Sequence, residues 1–135
     1  MILLLPLYSA VLPFLLWPLE YFLPYPHLVE EVAKGVLLWF LVGSELTNKQ
    51  KMMMAVVVGF VFGFSESNFY IINALMGDGI RTYFLRLVVV TPMHILTSVA
   101  IVLPALKSKK RIWIGIVGAI LIHSGYNLYV SGIRS

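Results

Sequence analysis

MMMAVVVGFVFGFSESNFYIINALM, residues 52–76, runs for 25 residues with one ionisable side chain, Glu66. An α-helix rises about 1.5 Å per residue, so this stretch is long enough to cross the ~30 Å hydrocarbon core of a bilayer. Four more apolar runs flank it, at 2–23, 27–43, 83–106 and 112–130, separated by short breaks at 24–26, 44–51, 77–82 and 107–111. Lipid offers backbone N–H and C=O groups no partners, so each run reads as a helix that pairs its own backbone. The expected fold is all-α, a polytopic transmembrane bundle of about five helices forming a single integral membrane domain over residues 1–135.

Composition agrees. Of 135 residues, 60% are hydrophobic and 12% charged, against roughly 25% charged in an ordinary soluble domain. The absence of cysteine excludes a disulfide frame, a thiolate metal site and a thiol nucleophile. The formal charge of +4 does not point to nucleic acid, because Lys49, Lys51, Lys107, Lys109, Lys110 and Arg111 sit in two polar breaks between apolar runs. With alternating helices those six share one side, and Arg81 and Arg134 lie on the other. The positive-inside rule then predicts a cytoplasmic N-terminus and an external C-terminus. The first run lacks a basic n-region and a small-residue cleavage pattern and contains Pro6, Pro13 and Pro18; it reads as a retained, bent span rather than a signal peptide.

Inside the apolar runs stand the ionisable groups Glu30, Glu31, Lys34, Glu66, Arg86, His94 and His123, with Glu20 and His27 near run ends. A charge at the bilayer centre costs about 2.5–3.5 kcal/mol on insertion scales, so this many must face one another inside the bundle. Counting helical rise from the non-cytoplasmic ends puts Glu30, Glu31 and Asn127 at ~5 Å, His123 at ~10 Å, Glu66 at ~15 Å and His94 at ~18 Å. One polar site in the outer half of the membrane follows. Glu30 with Lys34, Glu66 with Tyr70, and His123 with Asn127 are four apart and share helix faces. Gly59 and Gly63 make a G-x-x-x-G step suited to close helix packing.

Elimination narrows the chemistry. Asp78 is the only aspartate, which removes a two-aspartate mechanism; no H-E-x-x-H or G-x-S-x-G segment occurs. Ser124 adjoins His123, but neighbours on a helix point ~100° apart and cannot pair. Glutamate with histidine remains, a carboxylate taking a proton from water while imidazoles or a metal stabilise the oxyanion.

Four segments carry a family resemblance. PHLVEEVAKG (26–35) resembles the E-E-x-x-K signature of the PrsW-type intramembrane proteases, relatives of the prenyl-protein (CAAX) proteases. GFVFGFSESNFY (59–70), RLVVVTPMHILT (86–97) and IHSGYN (122–127) resemble the family's remaining motifs, in its order. The resemblance implies an intramembrane endopeptidase of a prokaryotic cell membrane acting on a membrane-anchored protein. It implies Glu30 and Glu31 as catalytic carboxylates tuned by Lys34. Glu66 and His94 would bind a metal or hold the water, and His123 with Asn127 would complete the site, supported by Arg86. Where a divalent metal such as zinc is used, Glu66, His94 and His123 are its implied ligands. Ser67 and Ser124 depart from the pattern, standing where the family usually has Asn and commonly has Gly.

Other readings of the same residues stay open. Acids at the start of a helix are favoured by its dipole; Lys34 can snorkel; Glu66 and Arg86 can form a structural ion pair. A prenyl-type protease, a non-enzymatic scaffold of the same fold, and a proton or cation pathway are the competing functions.

Overall fold

The computed structural model describes residues 2–134, except the side chains at 20, 69, 70, 72–74, 78 and 131–134. Five α-helices run through it: α1 Leu5–Glu20, α2 Pro26–Val42, α3 Asn48–Asn73, α4 Ile80–Ala105 and α5 Ile112–Arg134, with no strand among the described residues.

The boundaries have local causes. Pro26 opens α2, where its fixed φ suits the first turn and its missing N–H would have lacked a partner anyway. At the other end of α2 the Val42 carbonyl accepts from the Lys51 ammonium at 2.9 Å, which serves one of the orphan carbonyls of a helix end. A reciprocal capping box starts α3: the Gln50 N–H donates to the Thr47 hydroxyl at 3.3 Å, and the Thr47 N–H to the Gln50 side-chain oxygen at 2.9 Å. Hence α3 begins with a polar turn, four residues before its apolar run. Pro13 and Pro18 lie inside α1, and Pro92 and Pro104 inside α4, as membrane helices tolerate.

The long helix α4 is the hub, packing most extensively against α3 and next against α5. Gly59 and Gly63 make the first contact possible. A Cβ on Gly59 would lie 2.5 Å from the His94 carbonyl oxygen and 2.6 Å from the Ile95 Cα, and one on Gly63 would lie 2.8 Å from the Thr91 Cα. The two backbones therefore touch along this step, as small residues allow in membrane helix pairs. On the other side of α4, Gly115 of α5 approaches Ile101 in the same way. Ser9 ties α1 to α3, its hydroxyl donating to the Val58 carbonyl at 2.7 Å.

Inside and outside are inverted relative to a soluble protein. Leu15, Val36, Phe40, Phe60, Val88, Ile114, Val117 and Leu121 face outward, whereas Glu30, Glu31, Lys34, His94 and His123 are buried. Only a lipid surrounding makes that distribution favourable. Ile2–Leu19, Ile80–Ala105 and Lys109–Val130 are each long and apolar enough to span a bilayer; α2, with 17 residues, is short and carries three charges. The protein is an integral membrane protein. Its interior has two parts, an apolar core around Leu38, Leu41, Val58, Ile101, Val102, Ile112 and Ile116, and a polar cluster.

Candidate active site

Three helices build the cluster. Glu30 and Glu31 come from the second turn of α2, His94 from the middle of α4 and His123 from α5, and one ligating atom from each lies within 4.8 Å of all the others. All four residues are buried. The α3–α4 glycine contact sets one wall, since the same turn of α4 that meets Gly59 and Gly63 carries His94.

The hydrogen bonds fix the histidine tautomers. Lys34, with no exposed surface, donates to Glu31 Oε1 at 2.8 Å, to His94 Nδ1 at 2.9 Å and to Thr97 Oγ1 at 2.8 Å. These three bonds use every hydrogen of the ammonium. His94 Nδ1 is therefore an acceptor, and its Nε2–H donates to Glu66 Oε2. The Thr97 hydroxyl passes its own hydrogen to the His94 carbonyl at 3.2 Å. His123 Nδ1–H donates to Glu31 Oε1 at 2.8 Å and lies 3.6 Å from Glu30 Oε2, which leaves the Nε2 lone pair of a neutral ring for another partner. Phe62 closes the floor, its ring centroid 4.9 Å from the Lys34 nitrogen and 4.8 Å from that of His94.

Each buried histidine thus leans on a carboxylate, His94 on Glu66 and His123 on Glu31. This is the arrangement that orients imidazoles as metal ligands. Two further observations bear on whether a metal suits the cluster. Glu31 Oε2 is buried and has no hydrogen-bond partner among the described residues. Lys34 pairs with Glu31 and Arg86 lies 3.9 Å from Glu66, whereas Glu30 faces the His123 ring, so three carboxylates stand against two fixed cations and, with neutral histidines, one negative charge is left over. Buried nitrogen and oxygen donors with surplus negative charge fit a small divalent cation.

Not every residue singled out in the sequence joins this cluster directly. Glu66 is partly exposed and sits one step out, bonded to His94 and 3.9 Å from Arg86 Nη2. Asn127, one turn beyond His123, is exposed. Tyr70 lies outside the described side chains. Thr97 and His27 are not among the candidate site residues singled out in the sequence, and Ser124 enters there only as the neighbour of His123 and as a departure from the family pattern. Thr97 seats the lysine; it stands three residues after His94, a same-face spacing that would have placed it. His27 and Ser124 pair across α2 and α5, Ser124 Oγ to His27 Nε2 at 2.9 Å. Their helices are remote in sequence, and no spacing signals such a pair. The three histidine rings lie in a row, His27 to His123 at 5.4 Å and His123 to His94 at 5.2 Å between centroids.

No curated protein and no solved structure matches the chain. The family model described as "PrsW family intramembrane metalloprotease" matches residues 21–134. That stretch takes in α2 through α5, every helix that contributes to the cluster, and the chain belongs to the PrsW family of intramembrane metalloproteases.

Proposed function

We propose that this protein is a one-domain intramembrane endopeptidase that hydrolyses a peptide bond of a membrane-anchored protein with water activated by a glutamate. The observation that carries the reading is the convergence of Glu30, Glu31, His94 and His123 within 4.8 Å in a buried site. In this reading Glu31 Oε2, the oxygen left without a hydrogen bond, accepts the proton of the attacking water. Glu30 stands beside it to carry a proton to the departing amine. Lys34 and His123 hold Oε1 and so fix the carboxylate plane. His123 orients Glu31 from α5, and Glu66 with Arg86 keeps His94 in one tautomer.

A divalent ion, zinc by its preference for mixed imidazole and carboxylate ligands, would be held by Glu30, Glu31, His94 and His123 and would acidify a bound water. Glu66 supports it through His94. Burial keeps bulk water away from the reaction, and lipid-facing helices give a membrane-embedded substrate a route to it. The charge distribution of the breaks supports a cytoplasmic N-terminus, an external C-terminus and a site in the non-cytoplasmic half.

The test is a comparison of newly formed N-termini in membranes holding the wild-type protein or Glu31→Gln. Cleavages present with the wild type and lost with the variant are expected. Identical sets would overturn the mechanism, and would favour a scaffold in which the lysine-centred bonds from α2 to α4 serve assembly alone.

A further inference from the structure

The Lys34 ammonium occupies an unusual place. It is fully buried, and its three acceptors, at 2.8, 2.9 and 2.8 Å, are Glu31 Oε1, His94 Nδ1 and Thr97 Oγ1. Glu31 and His94 are two of the four residues whose donor atoms converge. His94 has no second nitrogen to offer, because Nε2 is committed to Glu66. A metal ion that uses His94 while keeping the Glu66 contact must take Nδ1, the atom the lysine now holds. The ammonium is itself a cation seated by one carboxylate, one imidazole and one hydroxyl, and Phe62 lies 4.9 Å from it, a cation–π contact that favours positive charge there.

We propose that Lys34 is a built-in placeholder for the metal: its ammonium fills the cation position between Glu31 and His94, and a divalent ion enters by displacing it. The inference rests on the metal reading of the site. It gives the lysine two consequences that simple tuning of a carboxylate does not. The metal-free protein keeps an assembled site, because the negative charge of Glu31 stays compensated. The lysine also lowers metal affinity, since every binding event must break its three hydrogen bonds and move its charge.

The experiment is zinc titration of chelator-stripped protein in detergent micelles, by calorimetry and by the zinc-induced rise in Tm, for wild type, Lys34→Met, Thr97→Val and Lys110→Met. Lys34→Met is expected to bind zinc at least tenfold tighter than wild type and to gain more in Tm from it. Removing the lysine strips Glu31 of its counterion, so Thr97→Val carries the case independently of any loss of folding. That change leaves every charge in place and removes one acceptor of the ammonium; its expected effect is a severalfold tighter site. Lys110, an exposed residue remote from the cluster, is expected to bind as wild type does. Zinc binding by wild type with Thr97→Val and any folded Lys34→Met at equal or weaker affinity would overturn the placeholder and leave the metal reading standing. Zinc bound by none of these proteins would overturn both.

Discussion

His123 of α5 donates its Nδ1 hydrogen to Glu31 of α2 at 2.8 Å, across 92 positions of sequence. The same carboxylate oxygen accepts from Lys34 at 2.8 Å, so one atom of Glu31 joins α5 to the lysine that reaches α4. The other oxygen, Oε2, is buried without a hydrogen bond among the described residues. Glu31 thus has one oxygen that holds the bundle and one that is left for the attacking water in the mechanism proposed above.

That division separates the two glutamates by experiment. Glu31→Gln should lower turnover by ~10²-fold or more, as loss of a general base does. It should also destabilise the fold by about 3–5 kcal/mol, because Lys34 is left as a buried charge without its counterion. Glu30 lies 3.6 Å from the His123 nitrogen that Glu31 approaches at 2.8 Å, and its change to Gln should cost activity with a smaller fall in Tm. Turnover and thermal unfolding measured on the same preparations check both statements; equal destabilisation by the two variants would contradict the assignment.

Glu66 is bonded to His94, and in the proposed site it acts through that ring. Replacing it by Gln keeps the size of the side chain but no longer offers the charged acceptor that fixes the ring. Loss of such a supporting carboxylate typically weakens metal binding about 10- to 100-fold. Glu66→Gln should do so, with Arg86→Ala, whose guanidinium is 3.9 Å from Glu66, weaker in the same direction. Competition of each variant with a graded set of chelators measures the effect, and a wild-type affinity for Glu66→Gln would remove Glu66 from the site.

The fold class was readable because a lipid environment imposes it: five apolar runs must be helices, and five helices form. The segments that supply Glu30, Glu31, Glu66, His94 and His123 were readable because they resemble the family's motifs, each on a single helix. Contacts between helices were not. The pair His27 and Ser124 depends on how α2 and α5 are rotated about their axes, and a period of 3.6 residues fixes a face only relative to its own helix. Lys34 shows the same gap. Local physics allows its long stem to snorkel toward the interface, and only the positions of His94 and Thr97 on α4 account for an ammonium that turns inward.

Gly59 and Gly63 carry the strongest packing prediction. A methyl group at Gly59 would meet backbone atoms of His94 and Ile95 at 2.5–2.6 Å, which no rotamer change relieves. Gly59→Ala should cost about 1–3 kcal/mol, the range for overpacking, and should lower turnover by moving His94. Gly118→Ala is the control, since nothing lies within 4 Å of a Cβ placed there. Thermal unfolding in micelles distinguishes them.

Ser124 tests the α2–α5 seam beside the site. Its hydrogen bond to His27 at 2.9 Å is one polar tie in a part-buried place, worth about 0.5–1.5 kcal/mol. Ser124→Ala should lower stability by that amount, and His27→Ala in the same background should add little further through this bond. A double-mutant cycle reads the coupling directly; a coupling near zero would mean that the bond is not made in the membrane.

The side of the membrane on which the site opens is accessible to a simple chemical experiment, because the chain contains no cysteine. A single engineered thiol then reports its own exposure with no background. Tyr25 is exposed and immediately precedes α2, five residues before Glu30. Lys110 is exposed in the basic break at the opposite end of the bundle. The positive-inside bias of residues 44–51 and 107–111 requires Tyr25→Cys to react with a membrane-impermeant maleimide in intact cells and Lys110→Cys to react only after permeabilisation. The reverse pattern would turn the bundle over and give the site a cytoplasmic mouth.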